Sequence, residues 1–220
     1  MFRSFARSAT LLAATIAVGV AFTATPARAQ GAGPATPQAA LDALEAAIAA
    51  GDAKAAMALL TPDGQKRLAK DAVMGSLAML AFTDPDDPNP MGPKPTPAEL
   101  KTKRAAYGTA KTAITAALKP AGLDAAIGKP LMPAQEIVDA KIGAADAPTL
   151  VPALWEAVVK AGPALGMKQK QPFMKVGPFT ALKVEGDHAT VKSGPRTMKI
   201  DKIGGKWLVD APLPELEPGQ

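Results

Sequence analysis

Alanine is distributed unevenly along the 220-residue chain, and this distribution constrains the fold more than any other feature. Residues 30–172 contain 36 Ala in 143 positions, whereas residues 173–210 contain only two in 38. Alanine has the highest helix propensity of the amino acids, while the later segment alternates apolar and polar side chains as strands do. We therefore predict an α+β fold, in which an N-terminal helical region packs on one face of a C-terminal antiparallel four-stranded β-meander.

The first 29 residues have the three parts of a secretory signal. Two arginines precede an uncharged apolar run of 14 residues, 9–22, and an A-x-A motif ends at Ala29. The run is shorter than the roughly 20 residues that span a bilayer as a helix. We expect cleavage between Ala29 and Gln30, and a periplasmic or secreted protein without a membrane span. An uncleaved anchor or a buried helix is the alternative.

Removal of this signal also removes most of the positive charge. The whole chain has 25 Lys and Arg against 20 Asp and Glu, but three of the arginines lie in the signal, which leaves 22 against 20. This balance gives no electrostatic footprint for nucleic acid, so no nucleic-acid partner is expected. The chain has no Cys, which excludes disulfides and metal sites built from thiolates.

Caps, prolines and apolar spacing divide the helical region into five main helices. These are predicted from Thr36-Pro37 to Gly51, from Asp52 through Leu60, from Thr61-Pro62 to about Phe82, from the Thr96/Glu99 capping box to Pro120, and from about Pro148 to Lys160. Short helices are expected where Gly128, Pro130 and Pro133 interrupt the chain. Residues 83–97 hold six Pro and are predicted to form an exposed loop.

Two tight turns set the register of the predicted meander, which spans residues 173–211. Gly186-Asp187 and Gly204-Gly205 both suit short hairpin connections. One face then collects the apolar side chains Leu182, Val184, Ala189, Val191, Met198, Ile200, Trp207, Val209 and Ala211. We expect residues 30–212 to form a single domain, because neither half can bury its apolar face alone, and residues 213–220 to form a flexible tail.

His188, the only histidine, is interpreted as a surface residue and not as a catalyst. The predicted register places it on the solvated face across from Glu185, and such a cross-strand pair needs no functional explanation. One His without Cys cannot assemble the usual zinc site. The acids Asp84, Asp86 and Asp87 lack the glycine that a calcium loop requires. We therefore predict no catalytic residue, no metal and no cofactor.

Three aromatic side chains are the remaining candidates for a binding site. Tyr107, Trp155 and Trp207 occur at the helical or strand spacing that is typical of core residues. Alternatively, they line a pocket between the helices and the sheet, which is the usual place for a small ligand in a layered fold.

Two stretches resemble the nuclear transport factor two-like domains (cone-shaped, cystatin-like α+β) of exported bacterial proteins. "LDALEAAIAAGDAKAAMALLTPDGQKRLA" is similar to their opening helices, and "VEGDHATVKSGPRTMKIDKIGGKWLVD" is similar to their closing strands. The likeness covers about Leu41 to Ala69 and Lys183 to Asp210, under a third of the chain. About 90 mostly helical residues stand where such domains usually have strands. The resemblance implies no catalytic residue, because His188 is expected outside the cone and Tyr107 lies in the unmatched region.

These observations favour an exported binding or interaction protein without catalysis, which holds a protein partner or a small apolar ligand. One alternative is an enzyme like the ketosteroid isomerases or dehydratases of the resembling fold. Such an enzyme needs a buried acid or tyrosine with a perturbed pKa facing a cavity. The other alternative is an envelope-associated structural protein that uses the Pro-rich loop and the tail as contacts.

Overall fold

The computed structural model describes residues 33–86, 96–167, 178–194 and 196–210. Within them, helices precede strands, so the chain is α+β as the sequence predicts. The helices are α1 (Pro37–Ala50), α2 (Ala53–Met57), α3 (Pro62–Thr83), α4 (Pro97–Leu118), α5 (Leu131–Lys141) and α6 (Ala147–Ala161), and the strands are β1 (Phe179–Glu185), β2 (His188–Ser193), β3 (Arg196–Ile203) and β4 (Lys206–Asp210). The predicted signal, the tail, Asp87, Ala211 and most of the Pro-rich loop lie outside the described residues.

Three Thr-Pro pairs begin helices, as their capping chemistry predicts. The hydroxyl oxygen of Thr36 accepts a hydrogen bond from the N–H of Ala39 (3.1 Å), and that of Thr61 accepts one from Gly64 (3.0 Å). Thr96 forms the predicted capping box with Glu99 at the start of α4. Each proline occupies the first helical position, where the missing N–H would have had no partner in the helix.

The prediction that the second helix continues through Leu60 is wrong. Helix α2 ends at Met57, because the next residues leave the helix to pair with β4. Val209 donates its N–H to the carbonyl of Leu59 (2.8 Å) and accepts a hydrogen bond from the N–H of Thr61 (2.9 Å). These two long-range bonds join the helical part of the chain to the sheet.

Pro133 does not interrupt a helix either. It lies in the first turn of α5, where a backbone N–H has no acceptor within the helix and its loss costs little. The sequence correctly predicts short helices in this stretch, since 3-10 segments at Lys119–Ala121 and Leu123–Ala126 precede α5.

The four strands form an antiparallel meander in the order β1-β2-β3-β4. Both predicted hairpin turns are present, with Glu185 paired to His188 and Ile203 paired to Lys206. Gly204 and Gly205 both have positive φ (59° and 78°), as a two-residue turn that matches the strand twist requires. A bulge interrupts the β1–β2 register between Thr180 and Lys183.

One face of the sheet is closed by the helices. Its buried side chains are those of Ala189, Val191, Met198, Ile200, Trp207 and Val209. Helix α1 packs on β4 and β1, and α6 packs against α2, α3 and α4. Residues from all six helices and from β2, β3 and β4 belong to one hydrophobic cluster. Val184 has the predicted register but is 53% exposed, since it lies on the edge strand β1 beside the first hairpin turn.

The outer edge of β4 is paired with segments of the chain that lie outside the sheet. The N–H of Trp207 donates to the carbonyl of Pro34 (3.1 Å), in addition to the bonds between Val209 and the segment before α3. At the strand end, the Asp210 carboxylate accepts a hydrogen bond from the Thr61 hydroxyl (3.2 Å) and pairs with the Arg67 guanidinium. The start of α3 is therefore fixed to the last strand by both backbone and side-chain contacts.

Candidate functional site

His188 lies on the exposed face of the sheet across from Glu185, as predicted. Its Nδ1 is 2.7 Å from Oδ1 of Asp201 on the neighbouring strand. This partner is not predictable from the spacing within the first hairpin, because Asp201 lies on the strand beyond it. The histidine side chain is 79% exposed, and solvated ion pairs of this kind contribute at most about 1 kcal/mol to stability.

Replacing His188 with alanine is expected to lower the free energy of unfolding by less than about 1 kcal/mol. Urea unfolding followed by far-UV circular dichroism measures this change. Asp201→Asn removes the same pair from the other side and serves as the matched variant. A loss well above 1 kcal/mol in His188→Ala alone would contradict the surface role of the histidine.

Tyr107 belongs to a polar cluster where the end of α3 meets α4. Its hydroxyl donates a hydrogen bond to Oδ2 of Asp84 (3.1 Å), and the Arg104 guanidinium donates to Asp86 (3.0 and 2.6 Å). Burial, the hydrogen bond to Asp84 and the nearby negative charges raise the pKa of Tyr107 to about 12. A phenol with this pKa stays protonated at neutral pH, so Tyr107 holds residues 84–86 against α4 and is unsuited to act as a base.

The three aromatic residues of the predicted pocket lie on three different elements. Tyr107 is on α4 and Trp155 is on α6, and these two helices pack against each other. Trp207 is on β4, which packs against α1 and α3, and it is only 5% exposed within the shared hydrophobic cluster. A ligand pocket lined by all three stays a prediction.

Asp71 is the carboxylic acid that sequence reasoning overlooked. It lies within α3, and its Oδ2 is buried without a hydrogen-bond partner among the described residues. Burial raises the pKa of Asp71, and the positive charges of Lys70 and Arg67 oppose that shift. The only sequence signal is the position of Asp71 directly after Lys70 in an amphipathic helix. Neighbouring charges of this kind are too common in helices to identify Asp71 in advance.

Asp71→Asn is expected to raise the melting temperature at neutral pH. Because the pKa of Asp71 is raised in the folded protein, folding becomes less favourable as pH rises through the range in which Asp71 loses its proton. The gain from Asp71→Asn should therefore shrink as the pH becomes mildly acidic. Thermal melts across this range test the expectation, with Asp42→Asn, an exposed carboxylate on α1, as the baseline. A lower melting temperature at neutral pH would show that the carboxylate has a favourable partner.

The open face of the sheet carries a regular pattern of lysine and threonine, which we call the Lys–Thr patch. Cross-strand pairing aligns Lys183 with Thr190 and Lys199 in one row, and aligns Thr180 with Lys192 and Thr197 in the next. Lysine and threonine therefore alternate both along and across the strands. All six residues are exposed. None of the three lysines has an ion-pair partner within the described part of the chain.

Acidic residues border this patch on one side. Glu185 and Asp201 lie with His188 in the adjacent row of the open face, two residues from Lys183 and Lys199 respectively. Asp210 is paired with Lys199 in the strand register, but its carboxylate contacts Arg67 and Thr61. Lys183 and Thr190 lie on the solvated face as predicted, but the patch itself was not predicted, because both residue types are ordinary on exposed strands.

Comparison with family models, with curated proteins and with solved structures gave no match. In the described ranges, no group of three or more His, Cys, Asp and Glu side chains is placed to hold a metal ion. No helix among the described residues combines the length and apolar character needed to cross a membrane. The function of this chain is therefore inferred from its own residues.

Proposed function

We propose that the protein is an exported binding or interaction protein without catalytic activity. The observation that carries this proposal is the asymmetry of the sheet, whose one face is packed against helices while the other is open and bears lysines that form no ion pair with the described residues. The packed helices hold the strands in place, so the open face offers a partner side chains that start from fixed backbone positions. Such a surface binds without the entropic cost of ordering the backbone.

The side chains best suited to proton transfer support the same proposal. His188 is solvated and paired with Asp201, and Tyr107 is bonded to Asp84 with a pKa that keeps it protonated. His188 lacks the buried position in a cleft, and Tyr107 lacks the pKa near neutrality, that are usual for groups in general acid or base catalysis.

The resemblance to nuclear transport factor two-like domains is part of this proposal. The two stretches that carry it are distant in sequence but adjacent in the fold, since Leu59 and Thr61 pair with Val209 and Arg67 pairs with Asp210. This adjacency supports a common origin of the two stretches in one domain, with the remaining helices added between them.

A second candidate function, an enzyme with a cone pocket, is favoured by one observation. Asp71 has a partly buried carboxyl group with a raised pKa, and one of its oxygens has no hydrogen-bond partner in the described ranges, which is the environment of many catalytic acids. Asp71→Asn distinguishes the two functions, because it should leave a binding protein fully competent to retain its partner and should inactivate such an enzyme.

Native mass spectrometry of the protein recovered from its own compartment tests the proposed function. We expect a chain that begins at Gln30 and that carries a retained protein partner or a small apolar ligand. A bare chain that turns over a substrate would contradict the proposal. A chain that still carries residues 1–28 would contradict export with cleavage.

A further inference from the structure

We propose that the Lys–Thr patch docks the protein on an anionic phospholipid surface. This inference rests on the proposed binding function and goes beyond it, because its partner is a lipid surface and not a protein or a small apolar ligand. The patch provides three ammonium groups without ion-pair partners in the described structure, and three threonine hydroxyls between them. Its ligand must therefore supply negative charge and hydrogen-bond acceptors, and phosphate headgroups supply both.

The geometry of the patch favours a surface over a single small anion. Neighbouring strands are about 4.8 Å apart and alternate residues along a strand are about 6.6 Å apart. The Cα atoms of Lys183 on β1 and Lys199 on β3 are therefore about 10 Å apart, and the Cα atom of Lys192 on β2 is about 8 Å from each of them. The three lysines start from three neighbouring strands of one sheet face, so they form a triangle on that face and do not surround a cavity. A linear polyanion that follows one row of the patch leaves the lysine of the other row unused, whereas a layer of headgroups reaches all three.

The chemistry of the patch also sets how the protein would bind. The patch contains only lysine and threonine and no aromatic or branched aliphatic side chain that could insert into the lipid, so the attraction is electrostatic. Each lysine near an anionic membrane strengthens binding about fivefold, and salt screens this attraction over about 10 Å at 0.1 M. We therefore expect reversible, salt-sensitive association, and a loss of about a hundredfold when all three lysines are neutralised.

Co-sedimentation with vesicles tests this proposal. The full mature chain should sediment with vesicles that mix phosphatidylcholine and phosphatidylglycerol, and should remain in solution with phosphatidylcholine alone. The triple variant Lys183→Gln, Lys192→Gln and Lys199→Gln should bind the mixed vesicles about a hundredfold more weakly. The control variant carries Lys54→Gln, Lys66→Gln and Lys101→Gln, which remove the same charge from exposed positions on the helices. It should bind nearly as well as the unmodified protein.

Circular dichroism of each variant checks that it is folded, so that weaker binding is not caused by unfolding. The single variant Lys192→Gln provides a second measurement, and its affinity for the mixed vesicles should fall about fivefold. Equal losses in the two triple variants would overturn the assignment to the patch. Binding to soluble polyphosphate without binding to the mixed vesicles would overturn the lipid as partner. If the unmodified protein does not bind the mixed vesicles but retains a protein partner or ligand in native mass spectrometry, the lipid proposal fails while the proposed binding function stands.

Discussion

Trp207→Ala is expected to lower the free energy of unfolding by about 3–5 kcal/mol, the usual effect of emptying an aromatic site in a core. Trp207 is 5% exposed, lies on the packed face of the sheet with Ile200 and Val209, and belongs to the hydrophobic cluster that the helices share. Since domains of this size are stable by about 5–15 kcal/mol, the variant would be severely destabilised. Chemical unfolding followed by circular dichroism measures the loss, because the helical signal does not depend on tryptophan.

Ile203→Ala is the matched control for this experiment. Ile203 lies on the adjacent strand and is 44% exposed, so its replacement should change the stability by only about 0.5 kcal/mol. If Trp207→Ala leaves the unfolding curve unchanged but abolishes binding of a partner or ligand, Trp207 belongs to a binding site. The predicted pocket with Tyr107 and Trp155 would then gain support.

Ile114→Ala is expected to cost about 2–5 kcal/mol. Ile114 is fully buried in α4, within the long helical stretch that separates the two segments resembling known domains. Its side chain belongs to the same cluster as Trp207, so helices and sheet should unfold in one transition. The helical circular dichroism and the fluorescence of Trp207, measured in a Trp155→Phe background, should therefore shift together.

Thr112→Ala, at an exposed position on the same helix, should leave both signals within about 0.5 kcal/mol of the starting protein. Two separate transitions, or a shift of the helical signal alone in Ile114→Ala, would contradict a shared core. The helical stretch would then be an independent unit attached to a small α+β domain.

Local chemistry explains why much of the fold is predictable from the sequence. Thr36, Thr61 and Thr96 begin helices because a hydroxyl followed by proline satisfies the first turn without any tertiary contact. Gly204 and Gly205 determine a hairpin turn, and that turn determines which side chains share a face with Trp207. The α+β class and the buried position of Trp207 follow from such short-range rules.

Contacts between distant residues explain the errors. Leu60 lies outside α2 because its neighbours pair with Val209, and no short-range signal near Leu60 reports that strand. The partner of His188 is Asp201 on a strand beyond the first hairpin. Val184 satisfies the apolar pattern of its strand, yet its exposure depends on where the helices stop covering the sheet.

The candidate site is harder to predict than the fold for a related reason. Each lysine and threonine of the Lys–Thr patch is unremarkable in its own strand, and only the register of three strands places them in alternating rows. Asp71 is likewise an ordinary helical aspartate until the packing around α3 buries one of its oxygens. Site geometry of this kind exists only once the chain is folded.

Photo-crosslinking from the open face tests most directly that this face meets the partner of the protein. Thr190 lies at the centre of the Lys–Thr patch and is exposed, so p-benzoylphenylalanine at this position should be tolerated by the fold. In the compartment where the protein resides, irradiation should attach lipid or a partner protein at position 190, and should attach little at position 112 on α4. Adducts at position 112 with none at position 190 would contradict the account, because the binding surface would then lie on the helices.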